Sequence, residues 1–381
     1  MVSKQKWRFF FIFLLLFFLS LADGKTQVHK ETKFFHRDLR LKEAILKGLD
    51  YLAKNQDPLE GSFSKQYKLA VTSLAGLAFL AYPESGYQRG RYGKVIDRAL
   101  RYILRLAKDS TGKIKYRPGL GIWLNDGEEQ GRMHAHCYAT LFLAEVYGLL
   151  RKKKQEQEVK IILKGAIQCL LQSQTYGVVY RNGKRMEWGG WGYYHKYEPK
   201  NNEDEASTTV CALQALRAAR NAGIFVPKSA INRAINYVKL CIKKDGSFRY
   251  SLVRGVKRSS FELTAAAVST LNAAGVYHSY ELERGLQYMR DSMAKQKQYG
   301  STVDEAAQTW YFYGNLYAAQ AMYQAGDVYF LPWYKEVRQV LLKKQKPDGS
   351  WIHRKFGKEY ATAMALLILE VPLNTLPIFQ R

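Results

Sequence analysis

The sequence predicts an all-α fold in which two concentric rings of six helices form an α6/α6 barrel, or α/α toroid. Six amphipathic segments recur at intervals of about 50 to 70 residues, with apolar residues at i, i+3, i+4 and i+7. Each is followed by a segment rich in Ala, Leu, Thr and Val around its whole circumference. Helices that are apolar on one face lie outside, and helices that are apolar all round are buried, so the two kinds form an outer and an inner ring.

The predicted elements alternate along the chain. The outer helices are centred near Gly48, Tyr102, Leu170, Tyr237, Tyr288 and Leu341, each with Lys or Arg between its apolar positions. The inner helices are predicted over residues 69–81, 133–150, 206–222, 261–274, 305–325 and 359–369. Glycine ends several of them, as expected for a residue that accepts a positive φ after a helix.

The loops that follow outer helices share a short signature. It reads Gly61-Ser62-Phe63, Asp245-Gly246-Ser247-Phe248 and Asp348-Gly349-Ser350-Trp351, with Gln56 and Gln345 a few residues upstream of the first and the last. Asp-Gly makes a tight turn, because glycine permits a positive φ. We expect the aromatic residue to plug the gap between neighbouring helix pairs and the Gln amide to cap a helix end.

These motifs resemble known repeats. The element from Gln345 to Trp351 resembles the repeat of squalene–hopene cyclases and of protein prenyltransferase β subunits. Residues 133–140, 189–193, 215–223 and 376–381 resemble exported, single-domain bacterial proteins with prenyltransferase and squalene-oxidase repeats. This resemblance covers nearly the whole chain after the first 22 residues. It implies a terpenoid-cyclase-like toroid, but it implies no particular activity.

The first 22 residues are predicted to be a signal peptide. Lys4, Lys6 and Arg8 precede an apolar run over residues 9–21, and Ser20 and Ala22 are the small residues that a signal peptidase reads. We therefore expect export to the periplasm or the extracellular space, with residues 23–381 forming a single toroid domain. An uncleaved membrane anchor is the alternative, although the run is short for a membrane span.

The chain is strongly basic. Its 381 residues include 59 Lys and Arg against 33 Asp and Glu, which gives a formal net charge of +26. Basic runs on outer helices favour association with an anionic membrane surface or an acidic polysaccharide. Nucleic acid is not an expected partner, since no nucleic-acid-binding motif is present and export is predicted.

Two chemistries of the resembling families are not expected. The Asp-x-Asp-Asp-Thr element of squalene cyclases aligns with residues 205–209, and Ser207 replaces the proton donor, so squalene cyclisation is not predicted. Zinc chemistry needs Asp, Cys and His ligands, but no Asp-x-Cys is present. His134 and His136 point about 200° apart on a helix and do not share a metal. We predict no metal and no cofactor.

Polar residues gather where the inner helices begin. The parallel inner helices place all these starts at one end of the barrel, which we call the mouth. The candidate catalytic residues there are Glu205, His136, Asp304, Glu305 and Glu262. Acids in a first helical turn also stabilise the helix dipole whatever the function, which is the structural alternative for each of them.

Aromatic residues precede the third inner helix in a glycine-rich segment, where they suit a stacking wall or packing between the rings. The candidate ligand-binding residues are Trp188, Trp191, Tyr193, His134, His136 and Glu205. The first hypothesis is an exported protein that binds a small apolar ligand, such as a lipid or isoprenoid, or a peptide, in its central cavity. The alternative is an enzyme, either terpenoid-cyclase-like or polysaccharide-active, that uses carboxylates at the mouth.

Overall fold

The computed structural model describes residues 38–380 except 88, 129–131, 182, 199–203, 254–257 and 299–309. The predicted signal peptide and the candidate residues Asp304 and Glu305 lie outside the described residues. Within that described part of the chain, no helix has the length and apolar character needed to cross a membrane.

The described residues form twelve helices in an alternating order. The outer ring comprises α1 (Leu39–Asn55), α3 (Gly93–Leu106), α5 (Lys153–Ser173), α7 (Lys228–Leu240), α9 (Tyr280–Gln298) and α11 (Asp327–Lys344). The inner ring comprises α2 (Lys68–Ala81), α4 (Arg132–Tyr147), α6 (Ala206–Asn221), α8 (Phe261–Ala273), α10 (Tyr311–Ala325) and α12 (Gly357–Glu370). This arrangement confirms the predicted α6/α6 barrel. A hairpin of β1 (Gly177–Arg181) and β2 (Lys184–Trp188), which the sequence analysis did not predict, lies between α5 and α6.

Burial separates the two rings as the sequence periodicity predicts. Helix α3 buries Val95 and Ile96 toward the core and exposes Lys94 and Arg101 to solvent. In helix α12, by contrast, every residue over 361–370 is buried. Each inner helix packs against the next one, and α12 packs against both α2 and α1. The inner ring is therefore closed by contact between the last helices and the first.

The loop signature adopts one geometry at four places. In each, the main-chain N–H of a buried aromatic residue donates a hydrogen bond to a threonine hydroxyl in the following inner helix. The pairs are Phe63 with Thr72 (2.9 Å), Trp191 with Thr209 (2.9 Å), Phe248 with Thr264 (3.2 Å) and Trp351 with Thr362 (3.0 Å). Trp351 packs against Gly48 of α1 and Phe248 against Gly285 of α9, so these aromatic rings fill the gap to the next helix pair, as predicted.

Glutamine side chains tie the first and the last of these loops to the next outer helix. The Nε2 of Gln56 donates to the carbonyls of Gly61 and Val95, and that of Gln345 donates to Gly349 and Ala44. Gly349 has φ +89°, and a Cβ there would lie 2.3 Å from the carbonyl oxygen of Lys47. Only glycine permits this close approach, by which the last loop contacts helix α1.

Candidate functional site

The mouth is lined on one side by aromatic residues whose rings contact one another, which we call the aromatic wall. The ring of Phe356 lies 5.4 Å from Tyr67, 5.0 Å from Tyr360 and 4.8 Å from His353, and Trp310 lies 6.4 Å from it. Tyr67, Phe356 and Tyr360 are half-buried, and Trp310 is 48% exposed. These residues come from the starts of α2, α10 and α12, so those helices begin at the same end of the barrel.

A buried acid lies at the start of α6. Glu205 is 1% exposed, and its carboxylate accepts a hydrogen bond from the phenol of Tyr250. The phenols of Tyr250 and Tyr193 are 2.6 Å apart. Burial raises the pKa of Glu205, while hydrogen bonds from Tyr193 and Tyr250 oppose that rise. We call these three residues the Glu205 cluster.

Helix capping does not explain this acid. Glu205 occupies the N-cap position of α6, yet its side chain makes no capping hydrogen bond, whereas the Ser260 side chain caps α8. Its neighbour Asp204 accepts hydrogen bonds from the main-chain N–H groups of Leu252 (2.9 Å) and Val253 (3.0 Å). Asp204 therefore holds the loop that carries Tyr250, while Glu205 is directed to the two phenols.

Other acids at the mouth are capping residues. Asp126 accepts a hydrogen bond from the N–H of Leu69 (2.6 Å), and Glu128 accepts one from the N–H of Tyr67 (3.0 Å). Both N–H groups belong to the start of α2, which has no intrahelical partner for them. The helix-dipole explanation therefore holds for these two carboxylates.

His134 stands beside the cluster in the first turn of α4. Its ring centroid lies 5.7 Å from that of Tyr193. Desolvation lowers the pKa of His134 to about 4, so the imidazole is neutral at neutral pH. Among the described residues, no hydrogen bond engages either ring nitrogen, which leaves the imidazole able to accept a proton.

An unpartnered phenol lies below the cluster. Tyr313, on α10, is 9% exposed, and within the described residues its hydroxyl has no hydrogen-bond partner. Burial raises the pKa of Tyr313, and the nearby Tyr360, Tyr193 and Tyr250 contribute to the rise after Cys211 does. Tyr313 therefore lies between the cluster and the barrel interior. An unsatisfied buried hydroxyl is costly, so this one is a polar contact available to a bound molecule.

Below Tyr313 the barrel axis is filled by protein. The hydroxyl of Tyr317 lies 3.2 Å from the Sγ of Cys211, and Gln320 accepts hydrogen bonds from Gln214 (2.7 Å) and Ser269 (3.0 Å). At the far end the segment from residue 376 to 379 inserts between the inner helices, with Leu376, Ile378 and Phe379 buried. A space of about 20 Å³ between this segment, Leu74 and Tyr138 is large enough for one water molecule. Side chains of this segment therefore fill part of the chamber in which a ligand was predicted to bind.

Solved structures with a similar fold support the assignment of the toroid architecture. A sugar epimerase from a ruminal bacterium has a TM-score of 0.55 at 13% identity, over 88% of this chain and 98% of the other. The glycoside hydrolase family 76 mannosidase Bt3792 of Bacteroides thetaiotaomicron has a TM-score of 0.57 at 9% identity, over 88% and 98%. The chain has the α/α toroid fold. The type II terpene cyclase MstE from Scytonema scores 0.49 at 14% identity, over 88% and 99%.

No family model and no curated protein matches the sequence of this toroid. At such low identities the structural likeness establishes the fold alone. The toroid's chemistry must therefore be inferred from its own residues.

His136 does not lie at the mouth of the toroid, which corrects its place among the candidate site residues. It is fully buried, its Nδ1 accepts from the N–H of Leu124 (3.1 Å), and its Nε2 donates to the carbonyl of Ala166 (3.1 Å). The helical turn that directs His134 to the mouth directs His136 to helix α5. With both nitrogens occupied, His136 joins the two rings of helices.

The structure places Trp191 and Trp188 in packing positions against neighbouring helices. Trp191 is fully buried between α5 and α6, and its Nε1 donates to the carbonyl of Leu170 (2.8 Å). Trp188 ends strand β2 and packs on Tyr237 of the outer helix α7 at 6.1 Å. Gly190 lies so close to α6 that a Cβ would be 2.8 Å from the Thr209 hydroxyl, and this tight passage turns Trp191 inward.

The remaining candidates stay near the mouth. Tyr193, Glu205 and His134 come together as described. Glu262 is half-buried in the first turn of α8, and it packs so tightly on α10 that a Cβ on Gly314 would lie 2.3 Å from its Cγ. Within the described residues, no hydrogen bond joins Glu262 to the Glu205 cluster, and no group of three His, Cys, Asp or Glu is placed to hold a metal.

The sequence analysis missed Tyr250 and Tyr313. Tyr250 stands two residues after the buried Phe248, as Tyr193 stands two after Trp191 and His353 two after Trp351. Tyr193 and Tyr250 both belong to the Glu205 cluster, and His353 contacts Phe356 of the aromatic wall. The position two residues after each buried aromatic residue could therefore have identified Tyr250 as a site residue from the sequence.

Proposed function

We propose that the toroid is an acid–base enzyme that acts on a saccharide at its mouth. In this proposal the Glu205 cluster donates a proton and His134 accepts one. The observation that carries the proposal is the Glu205 carboxyl, buried and bonded to Tyr250 beside Tyr193, with a neutral His134 against the same Tyr193 ring. Action outside the cytoplasm, as predicted from residues 1–22, is part of the proposal.

The protonation states support opposite roles for the two groups. His134 is neutral above a pH of about 4, whereas burial favours the protonated form of Glu205. Burial and the hydrogen bond to Glu205 also raise the pKa of Tyr250, so this phenol keeps its proton and can pass one between Glu205 and a substrate. An acid and a base on one site serve reactions that remove a proton from one atom and deliver a proton to another.

Saccharide is the substrate class that the surroundings favour. The aromatic wall presents half-buried rings at the same mouth as the Glu205 cluster, and aromatic rings stack on sugar rings. The sugar epimerase and the mannosidase show that this fold accommodates sugar chemistry, which makes saccharides the first class to test. An apolar ligand in the central cavity, the first hypothesis from the sequence, requires the segment 376–379 to leave the axis.

The test compares two matched pairs of glutamate and tyrosine. Glu205→Gln and Tyr250→Phe alter the proposed site. Glu359→Gln and Tyr51→Phe alter a second pair, in which the Tyr51 phenol donates to Glu359 (3.1 Å) between α12 and the outer ring. A panel of oligosaccharides is incubated with each protein, and products are followed by mass spectrometry and proton NMR in deuterated water.

We expect Glu205→Gln to lower kcat by about 10²- to 10⁴-fold with little change in KM, because a general acid acts on the chemical step. The Glu359 and Tyr51 variants should keep wild-type turnover. The rate should rise with pH above about 4, as His134 loses its proton, and fall as Glu205 ionises. Wild-type turnover by Glu205→Gln, or no conversion of any saccharide in the panel, refutes the proposal.

A further inference from the structure

Within the part of the chain that the structure describes, Arg258 lies over the Tyr250 ring of the Glu205 cluster. The guanidinium carbon of Arg258 is 4.8 Å from the centre of the Tyr250 ring, whose phenol holds Glu205. Its positive charge is near enough to act against the rise that burial causes in the pKa of Glu205. Arg258 is solvent-exposed, so the guanidinium edge that does not face the ring is accessible.

The position of this arginine is fixed by the loop that carries it. The N–H of Tyr250 donates to the carbonyl of Arg258 (2.9 Å), and Arg249 pairs with Ser259 as an antiparallel bridge. The Nζ of Lys243 donates to the Ser259 hydroxyl (2.9 Å). These contacts hold the main chain of Arg258 beside the Glu205 cluster, from where its guanidinium lies over the Tyr250 ring.

Among the described residues, no ion pair within 4.0 Å includes Arg258. The ion pairs nearby join Arg132 to Glu198 and Lys243 to Asp245, and neither includes Arg258. A guanidinium that stacks on an aromatic ring keeps its N–H groups directed outward, in a planar array that matches a carboxylate or sulfate. The overall charge of +26 adds long-range attraction for a polyanion.

We infer that the mouth binds an acidic polysaccharide, one anionic sugar of which pairs with Arg258 above the Tyr250 ring. This inference rests on the proposed function and names its substrate class. The sequence alone led us to expect anionic partners on the basic runs of the outer helices. The structure places the cation of Arg258 beside the proposed acid, which gives selection for charge at the reacting end of the substrate.

The control for Arg258 is a second arginine that also lies over a tyrosine ring, but away from the proposed site. Arg117 lies 4.5 Å over the exposed ring of Tyr197. Arg258→Gln and Arg117→Gln are compared with the wild type by calorimetric titration with a uronate oligosaccharide, a sulfated oligosaccharide and a neutral oligosaccharide of equal length. Each titration is repeated at low and high salt, and circular dichroism checks that both variants fold.

We expect Arg258→Gln to weaken binding of an anionic oligosaccharide about tenfold or more at low salt and to leave neutral binding within about twofold. Arg117→Gln should change neither. Which anionic oligosaccharide responds identifies the group as carboxylate or sulfate. Equal affinities of wild type and Arg258→Gln for both anionic probes, or tighter binding of the neutral one, overturn the inference and leave the proposed function standing. If Glu205→Gln converts saccharides at the wild-type rate, the proposed function fails instead.

Discussion

The C-terminal segment should be essential for a filled barrel axis, and Phe379→Ala tests this directly. The Phe379 ring is buried at 5% exposure, in the space that Leu74, Leu316 and Leu367 line. Removing a buried phenylalanine side chain costs about 3–5 kcal/mol, from lost burial and from the cavity left behind. That loss is a large share of the 5–15 kcal/mol that typically stabilises a domain.

The assay is urea unfolding followed by circular dichroism, with Phe225→Ala as the control. Phe225 is 83% exposed, so its replacement should change the free energy of unfolding by less than about 0.5 kcal/mol. A second variant, truncated after Thr375, removes Leu376, Ile378 and Phe379 together and should open the axis. Fluorescence of an apolar dye then reports whether the emptied chamber accepts an apolar molecule.

Two results would refute this reasoning. If Phe379→Ala and Phe225→Ala unfold at the same urea concentration, the segment does not contribute to the core. If the truncated protein folds and binds no apolar dye, the hypothesis of an apolar ligand in the central cavity is wrong. If the truncated protein does not fold, the result supports the claim that the C-terminal segment contributes to the core. The dye measurement is then made on Phe379→Ala alone.

Two further predictions concern stability. Burial raises the pKa of Glu145 from 4.5 to about 7, so the folded state retains a proton that the unfolded state has lost, and stability should fall by about 3 kcal/mol as pH rises through this range. Glu145→Gln should flatten that decline in urea unfolding measured at several pH values, and parallel curves for the two proteins would contradict it. Thr362→Val should destabilise the protein by about 1–3 kcal/mol, because the buried N–H of Trp351 loses its acceptor, whereas Thr362→Ser retains the hydroxyl and should unfold near the wild-type midpoint.

The architecture was predictable because it is encoded in repeated local patterns. The alternation of half-buried and fully buried helices follows from apolar periodicity alone, and the plugs at Phe63, Phe248 and Trp351 follow from glycine turns before an aromatic residue. Each of these two signals is formed by residues that are close together in the sequence. Neither depends on knowing which distant segments meet.

The candidate site was predictable only in part, because its geometry depends on side-chain direction and on distant contacts. His134 and His136 share a helix, and only the packing of Leu124 and Ala166 shows which one faces the other ring. Trp191 was predicted to bind a ligand because the hairpin between α5 and Trp191 lengthens the loop, so that its equivalence to Phe63, Phe248 and Trp351 is not visible in the sequence. The filling of the axis by Phe379 has no local signal at all.

Ring closure has a consequence for how this chain acquires its structure. Gln345 bonds to the carbonyl of Ala44 across 301 residues, and α12 packs on α1 and α2. A linear array of helix pairs grows by adding units to an end, and its terminal units shield the stack from water. This closed ring has no terminal unit, so an incomplete set of pairs leaves two apolar faces exposed. Losing one pair should therefore abolish cooperative folding, and the last step of folding should be slow, because it must bring together the most distant parts of the chain.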